Sequence, residues 1–154
     1  MRLILNVVCS FIATLGFAIF FNIPRNILFW VGLVGAVGWM MSILLIEASA
    51  GSAWSYLLAS LVVAFLSETL AIKTKNPSTL FSIPGIYPLV PGYTLYTTMY
   101  HFTTDQVGLG MEAMIITLTN AGAIALGIII MSSLGNIRKK MIQNKLDRSG
   151  KNEN

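Results

Sequence analysis

The chain has 154 residues, 55% of them hydrophobic and only 10% charged, with a mean hydropathy of +0.74. Its 10 basic and 6 acidic side chains are too few to cover the surface of a soluble domain. Disorder is therefore excluded and a soluble enzyme disfavoured, whereas a chain dissolved in lipid turns its apolar residues outward. The net charge of +4 is unevenly placed: Arg138, Lys139, Lys140, Lys145, Arg148 and Lys151 cluster at the carboxy-terminal end. Such a basic tail after an apolar run marks a cytoplasmic end facing anionic lipid headgroups. It has no interleaved aromatics and no folded domain behind it, so nucleic acid is not an expected partner.

In chain order, apolar runs cover 3–21, 27–46, 52–72 and 112–134. At about 1.5 Å per residue each can cross roughly 30 Å of hydrocarbon. The first run has no small-residue cleavage pattern, and Asn22-Ile23-Pro24 leads straight into the second, so it reads as an uncleaved span. Cys9, the single cysteine, allows no internal disulfide and reads as a packing or lipid-facing residue. In the second run Gly32, Gly35, Gly38 and Ser42 present small residues to a neighbouring helix. The third run carries Glu68 about one turn inside its predicted cytoplasmic end. A buried carboxylate there is unfavourable by roughly 2.5–3.5 kcal/mol, so Glu68 must snorkel, pair with a base such as Lys73, or take up a proton. It is the candidate proton-coupling residue.

A fifth stretch, 79–102, has span length but contains Pro84, Pro88 and Pro91, with Pro84-Gly85 and Pro91-Gly92 as turn-forming pairs. Each proline removes a backbone donor and opposes continuous helix, so this segment is predicted to be broken. Opened backbone at bilayer depth is tolerated only inside protein or along a hydrated cavity, as in the interrupted helices of secondary transporters. A structural kink or an interfacial loop is the plainer reading. Tyr93, Tyr96 and Tyr100 follow at spacings of three and four and share one helix face. Tyr100 reads as an interfacial anchor; Tyr87, Tyr93 and Tyr96, with Thr94 and Thr97, are candidates to line a polar passage. His101 near the outer end is either solvated or a proton shuttle. In the last span Ala113, Thr117, Asn120, Ile124, Gly127 and Met131 form one stripe. Asn120 within it is either interhelical glue or a substrate contact.

Charge placement decides the span count. With five crossings and the tail inside, Arg25, Lys73 and Lys75 all fall on the cytoplasmic side, and only Arg2 is misplaced. Omitting 79–102 leaves Arg25, Lys73 and Lys75 on the side opposite the basic tail. The expectation is an all-α polytopic membrane bundle of about five transmembrane segments with the fourth broken, the amino terminus outside. Residues 1–140 form the transmembrane domain and 141–154 a basic cytoplasmic tail. No nucleotide-binding glycine loop, zinc pair or nucleophile elbow is present, so no catalytic residue, metal or cofactor is expected.

Ser67-Glu68 through Lys73, Pro77, Ile83-Pro84-Gly85-Ile86, Pro88-Leu89-Val90-Pro91-Gly92, Tyr96 and Met99 together resemble the bacterial threonine/serine exporter family. The likeness extends through Gly16-Phe17-Ala18, Phe21-Asn22-Ile23-Pro24 and Thr117-Leu118-Thr119-Asn120. It fits the small-subunit form, equivalent to the carboxy-terminal half of fused members. The resemblance implies proton-driven export of threonine, serine or, in some members, dicarboxylates such as succinate. It also implies a larger membrane subunit as partner, in a complex with one or several copies of this chain. On position and chemistry, Asn120, Thr117, Tyr87, Tyr93, Tyr96, Gly85 and Gly92 are the candidate substrate contacts. The alternative is a non-transporting assembly subunit whose glycine face and broken segment dock another protein.

Overall fold

A computed structural model describes the backbone of residues 2–151 and the side chains of 3–135. Six α-helices follow one another: α1 (Arg2–Phe20), α2 (Leu28–Glu47), α3 (Ser52–Thr74), α4 (Thr79–Ile86), α5 (Gly92–Thr103) and α6 (Val107–Lys151), with a 3₁₀ turn at Tyr87–Leu89. The described residues contain no strand. Four helical stretches are long and apolar enough to cross a bilayer: Leu3–Phe20, Leu28–Glu47, Ser52–Thr74 and Val107–Gly135. The predicted runs thus reappear as helices, the last beginning five residues earlier than its apolar run. The expected tail, 141–154, falls on residues whose side chains lie outside those described.

The connections are short because the helices end in tight left-handed turns. Asn22, Ser49, Lys75 and Asp105 have φ between 54° and 60°. In each case the next residue's N–H reaches back five residues: Ile23 to Ala18, Ala50 to Leu45, Asn76 to Ala71 and Gln106 to His101. That bond satisfies a carbonyl that the helix end leaves open.

Glycines set the helix approaches. A Cβ on Gly32 would come within 2.6 Å of the Phe11 ring, and one on Gly35 would collide with Thr14, so α1 lies directly on the α2 backbone. Ser10 Oγ donates to the Gly35 carbonyl at 3.2 Å across the same seam. Gly38 faces Val63 of α3 in the same way. Both pairs are antiparallel, as their short turns require. α6 meets α3 through Gly127, opposite Ser60, and Gly135, opposite Glu68. Both residue numbers rise together over eight residues, more than two helical turns, so α3 and α6 are parallel. The chain between them therefore has to return from one end of the bundle to the other, which is the role of α4, the 3₁₀ turn and α5.

The first part of that return lies inside the bundle. Phe81, at 0% exposure, packs with Ala18, Ile23, Ile27, Val31 and Ala71 at the end where α3 finishes. Leu89 joins Val34, Ala59, Val63 and Ile124 in a second apolar layer halfway along. The second part departs from the bundle: α5 packs on α6 and makes at most isolated contacts elsewhere. Continued from the Gly127–Ser60 and Gly135–Glu68 contacts, the α3–α6 register places Thr119 level with Ser52. α6 accordingly runs about 18 Å past the start of α3, taking 1.5 Å per residue. The hairpin of α5 and the first twelve residues of α6 is this overhang, and Leu95, Met99, Ile115 and Leu118 on it are exposed.

Candidate functional site

The broken segment divides into a dry half and a polar half. Pro84 is buried inside α4, and a Cβ on Gly85 would stand 2.8 Å from Val34 and 3.3 Å from Val63. Gly85 therefore serves close packing against two apolar side chains. Pro88 has no N–H, and the helix tightens: the Val90 N–H bonds the Tyr87 carbonyl. Tyr87 stacks on Phe17 of α1 with ring centroids 3.8 Å apart and lies 5.8 Å from the Phe21 ring. It anchors the break to α1 instead of joining the other candidate tyrosines.

Pro91 is the residue before α5, and the Gly92 N–H turns back to the Val90 carbonyl at 2.7 Å. Regular helix bonding resumes with the Leu95 N–H on the Pro91 carbonyl. Between these, the Tyr93 and Thr94 N–H groups have no backbone acceptor among the described residues, the usual condition of a first helical turn. Space around Gly92 is open, with no atom within 4 Å of where a Cβ would stand. Tyr93, Tyr96 and Tyr100 share the outward face of α5, the first being 79% exposed, and Tyr96 stacks on Tyr100. The opposite face, Thr94 and Thr98, meets α6; Thr94 donates to Pro91 and Thr98 to Thr94.

On α6, Thr117 and Asn120 are both buried, and Thr117 Oγ1 donates to the Ala113 carbonyl at 2.8 Å. Asn120 is 2% exposed, and its Oδ1 has no donor among the described residues. Two helical periodicities locate it. Asn120 lies seven residues before Gly127 and so shares the side of α6 that faces α3. Thr117 lies seven after Gly110, whose Cβ position is 3.0 Å from the Phe102 ring of α5. The pair thus spans the wedge between α3 and α5. Ten residues along each helix of the antiparallel α5–α6 pair from the Phe102–Gly110 contact bring Asn120 level with Gly92. The parallel α3–α6 register brings it level with Ala53. The amino-terminal ends of α3 and α5 therefore both lie at the height of Asn120, and the two helices run from it in opposite directions along α6.

Asn120 and Thr117 lie one turn apart on α6, and Gly92 stands level with Asn120. Gly85 is buried inside the bundle, Tyr87 lies exposed against α1, and Tyr93 and Tyr96 turn away from α6. Glu68 lies at the other end of the α3–α6 seam, its carboxyl carbon 2.8 Å from where a Gly135 Cβ would be. His101 Nδ1 is 2.9 Å from Gln106 Oε1 in the α5–α6 turn. The sequence already marks Gly92 as a substrate contact through the amides freed at the break, with Pro91-Gly92 followed by Thr94 as a helix start directly after it; the first turn of α3 is the part that sequence reasoning missed.

Four membrane-length apolar helices joined by an interrupted segment define a polytopic helical membrane protein. The family model of the Threonine/Serine exporter, ThrE, matches residues 6–134, nearly the whole described unit. The chain belongs to the threonine/serine exporter family, a family of transporters. No solved structure matches it.

Proposed function

We propose that the chain is a subunit of a secondary-active exporter of small hydrophilic metabolites, threonine and serine or a dicarboxylate such as succinate, driven by the proton gradient. The observation that carries this reading is Asn120, a buried amide whose carbonyl oxygen has no donor among the described residues. An unsatisfied buried acceptor is unfavourable by about 1–3 kcal/mol, and a transporter gains by leaving that group for its solute. Glu68 is the proton-coupling residue, and Tyr93 and Tyr96 contribute from α5 once a partner encloses their face.

The partner is a larger membrane subunit. The overhanging hairpin supports it, since Leu95, Met99, Ile115 and Leu118 leave one chain with an apolar arm beyond its own bundle. The cell membrane orientation, carboxy terminus cytoplasmic, is supported by charge: Arg25, Lys73 and Lys75 occupy the end of the bundle toward which α6 runs. The same hairpin favours the second reading, a non-transporting assembly subunit.

The test uses the complex purified from native membranes through a tag on this chain and reconstituted in vesicles loaded with labelled threonine or succinate. An imposed pH gradient drives efflux, and Asn120→Ala and Glu68→Gln lower it at unchanged complex abundance. Absence of wild-type efflux, or efflux indifferent to both substitutions, removes the reading. Reduced abundance with normal flux per complex selects the assembly subunit instead.

A further inference from the structure

We infer that the junction of Asn120 with the first turn of α5 is a two-part subsite: the helix end holds a carboxylate, and Asn120 Oδ1 receives an ammonium beside it. The inference rests on the exporter reading and specifies how that site chooses its solute.

The helix end supplies donors and field. The Tyr93 and Thr94 N–H groups have no backbone acceptor among the described residues, and the aligned peptide dipoles of a 12-residue helix leave partial positive charge there. The first turn of α3 stands at the same level and adds a second positive end. Of the described acidic side chains, Glu112 lies two turns away toward the α5–α6 turn, and Glu47, close to this height, is carried by α2, which makes at most isolated contacts with α5 and α6. Gly92 leaves open space at the helix start.

Asn120 supplies the second, independent observation. It is only 2% exposed, it stands level with Gly92, and the atom without a donor is its carbonyl oxygen. An oxygen needs a donor, which a carboxylate cannot offer and an ammonium can. An α-amino acid carries both groups on one carbon, so it satisfies the amides and the amide oxygen together. A dicarboxylate engages only the helix end unless the Asn120 amide turns over to donate. Both solutes share the carboxylate; only the amino acid uses the whole subsite.

Two substitutions in the purified complex separate the parts, with binding of labelled threonine and succinate measured by equilibrium dialysis. Gly92→Asp places a carboxylate in the first turn, where it suits the helix dipole and the open space but occupies the amides and repels an anion. It is expected to weaken both ligands about tenfold or more while the complex assembles normally. Asn120→Leu keeps a buried side chain of similar size and is expected to weaken threonine about tenfold, the scale of one charge-assisted hydrogen bond, and to spare succinate. Unchanged binding in Gly92→Asp, or equal loss of both ligands in Asn120→Leu, overturns the assignment, as does a wild-type complex that binds neither ligand. Binding that follows this pattern without gradient-driven flux retains the subsite and removes the exporter reading.

Discussion

Replacing Gly127 by alanine adds one methyl group at the seam that fixes the position of Asn120. The new Cβ would collide with Ser60 Oγ and stand 2.9 Å from the Leu57 carbonyl oxygen and 3.2 Å from the Leu61 nitrogen. Ser60 can rotate, but the two backbone atoms can retreat only if α3 and α6 move apart. Overpacking of this kind is destabilising by about 1–3 kcal/mol. Alanine also gains about 1 kcal/mol of helix propensity over glycine, which masks part of the loss. Gly122→Ala is the control, because that position is in the same helix and has no atom within 4 Å of its Cβ direction. Propensity cancels between the two variants, leaving Gly127→Ala about 1–3 kcal/mol less stable than Gly122→Ala. Unfolding in detergent by denaturant titration, followed through the fluorescence of Trp30, Trp39 and Trp54, measures the difference. Ser60→Ala in the Gly127→Ala background should recover part of it, and the double-mutant cycle isolates the Ser60 share from the backbone share. If Gly127→Ala is as benign as Gly122→Ala, α3 and α6 do not meet as described, and the placement of Asn120 beside two helix ends falls with that contact.

In a Cys9→Ser background, an impermeant maleimide should label Ala50→Cys and Asp105→Cys from one side of the membrane and Asn76→Cys only from the other. Labelling of Asn76→Cys and Asp105→Cys from a common side would contradict the return of the chain through α4 and α5. Lys75 holds a left-handed conformation at φ 55° that glycine adopts without strain, so Lys75→Gly should raise unfolding stability by about 1 kcal/mol. A loss of stability there would show that the Lys75 side chain matters more than its backbone. Tyr87→Leu removes the stack on Phe17, and unfolding free energy should fall by about 0.5–1.5 kcal/mol; no change would mean that the break is held by its prolines and by Leu89 alone.

The sequence was sufficient for the parts of this protein that depend on length, polarity and local backbone chemistry. Hydrocarbon thickness fixes how many apolar residues make a span, so the four runs predicted the four long helices. Prolines lack a donor wherever they stand, so the break near Pro84–Pro91 was legible as well, and the charges of Arg25, Lys73 and Lys75 anticipated that their loops share one end of the bundle. The likeness to the exporter family rested on the same proline-glycine run and was met by the family match.

What the sequence left open were the contacts between distant elements. Helical spacing put Tyr93 and Tyr96 on one face but gave no reason to choose between the face on α6 and the face turned outward; the threonines Thr94 and Thr98 on the opposite face settle it. Gly85 and Gly92 read alike as glycines after proline, yet one touches Val34 and Val63 and the other open space. Asn120 reads from the sequence as glue or ligand alike; the structure adds that it is buried and that its Oδ1 has no donor among the described residues. Composition and periodicity determine which segments enter lipid and where a helix must break, because those follow from each residue's own chemistry. Register between helices is set by where small residues let two backbones approach, and only the folded arrangement of Gly110, Gly127 and Gly135 puts two helix ends level with one amide.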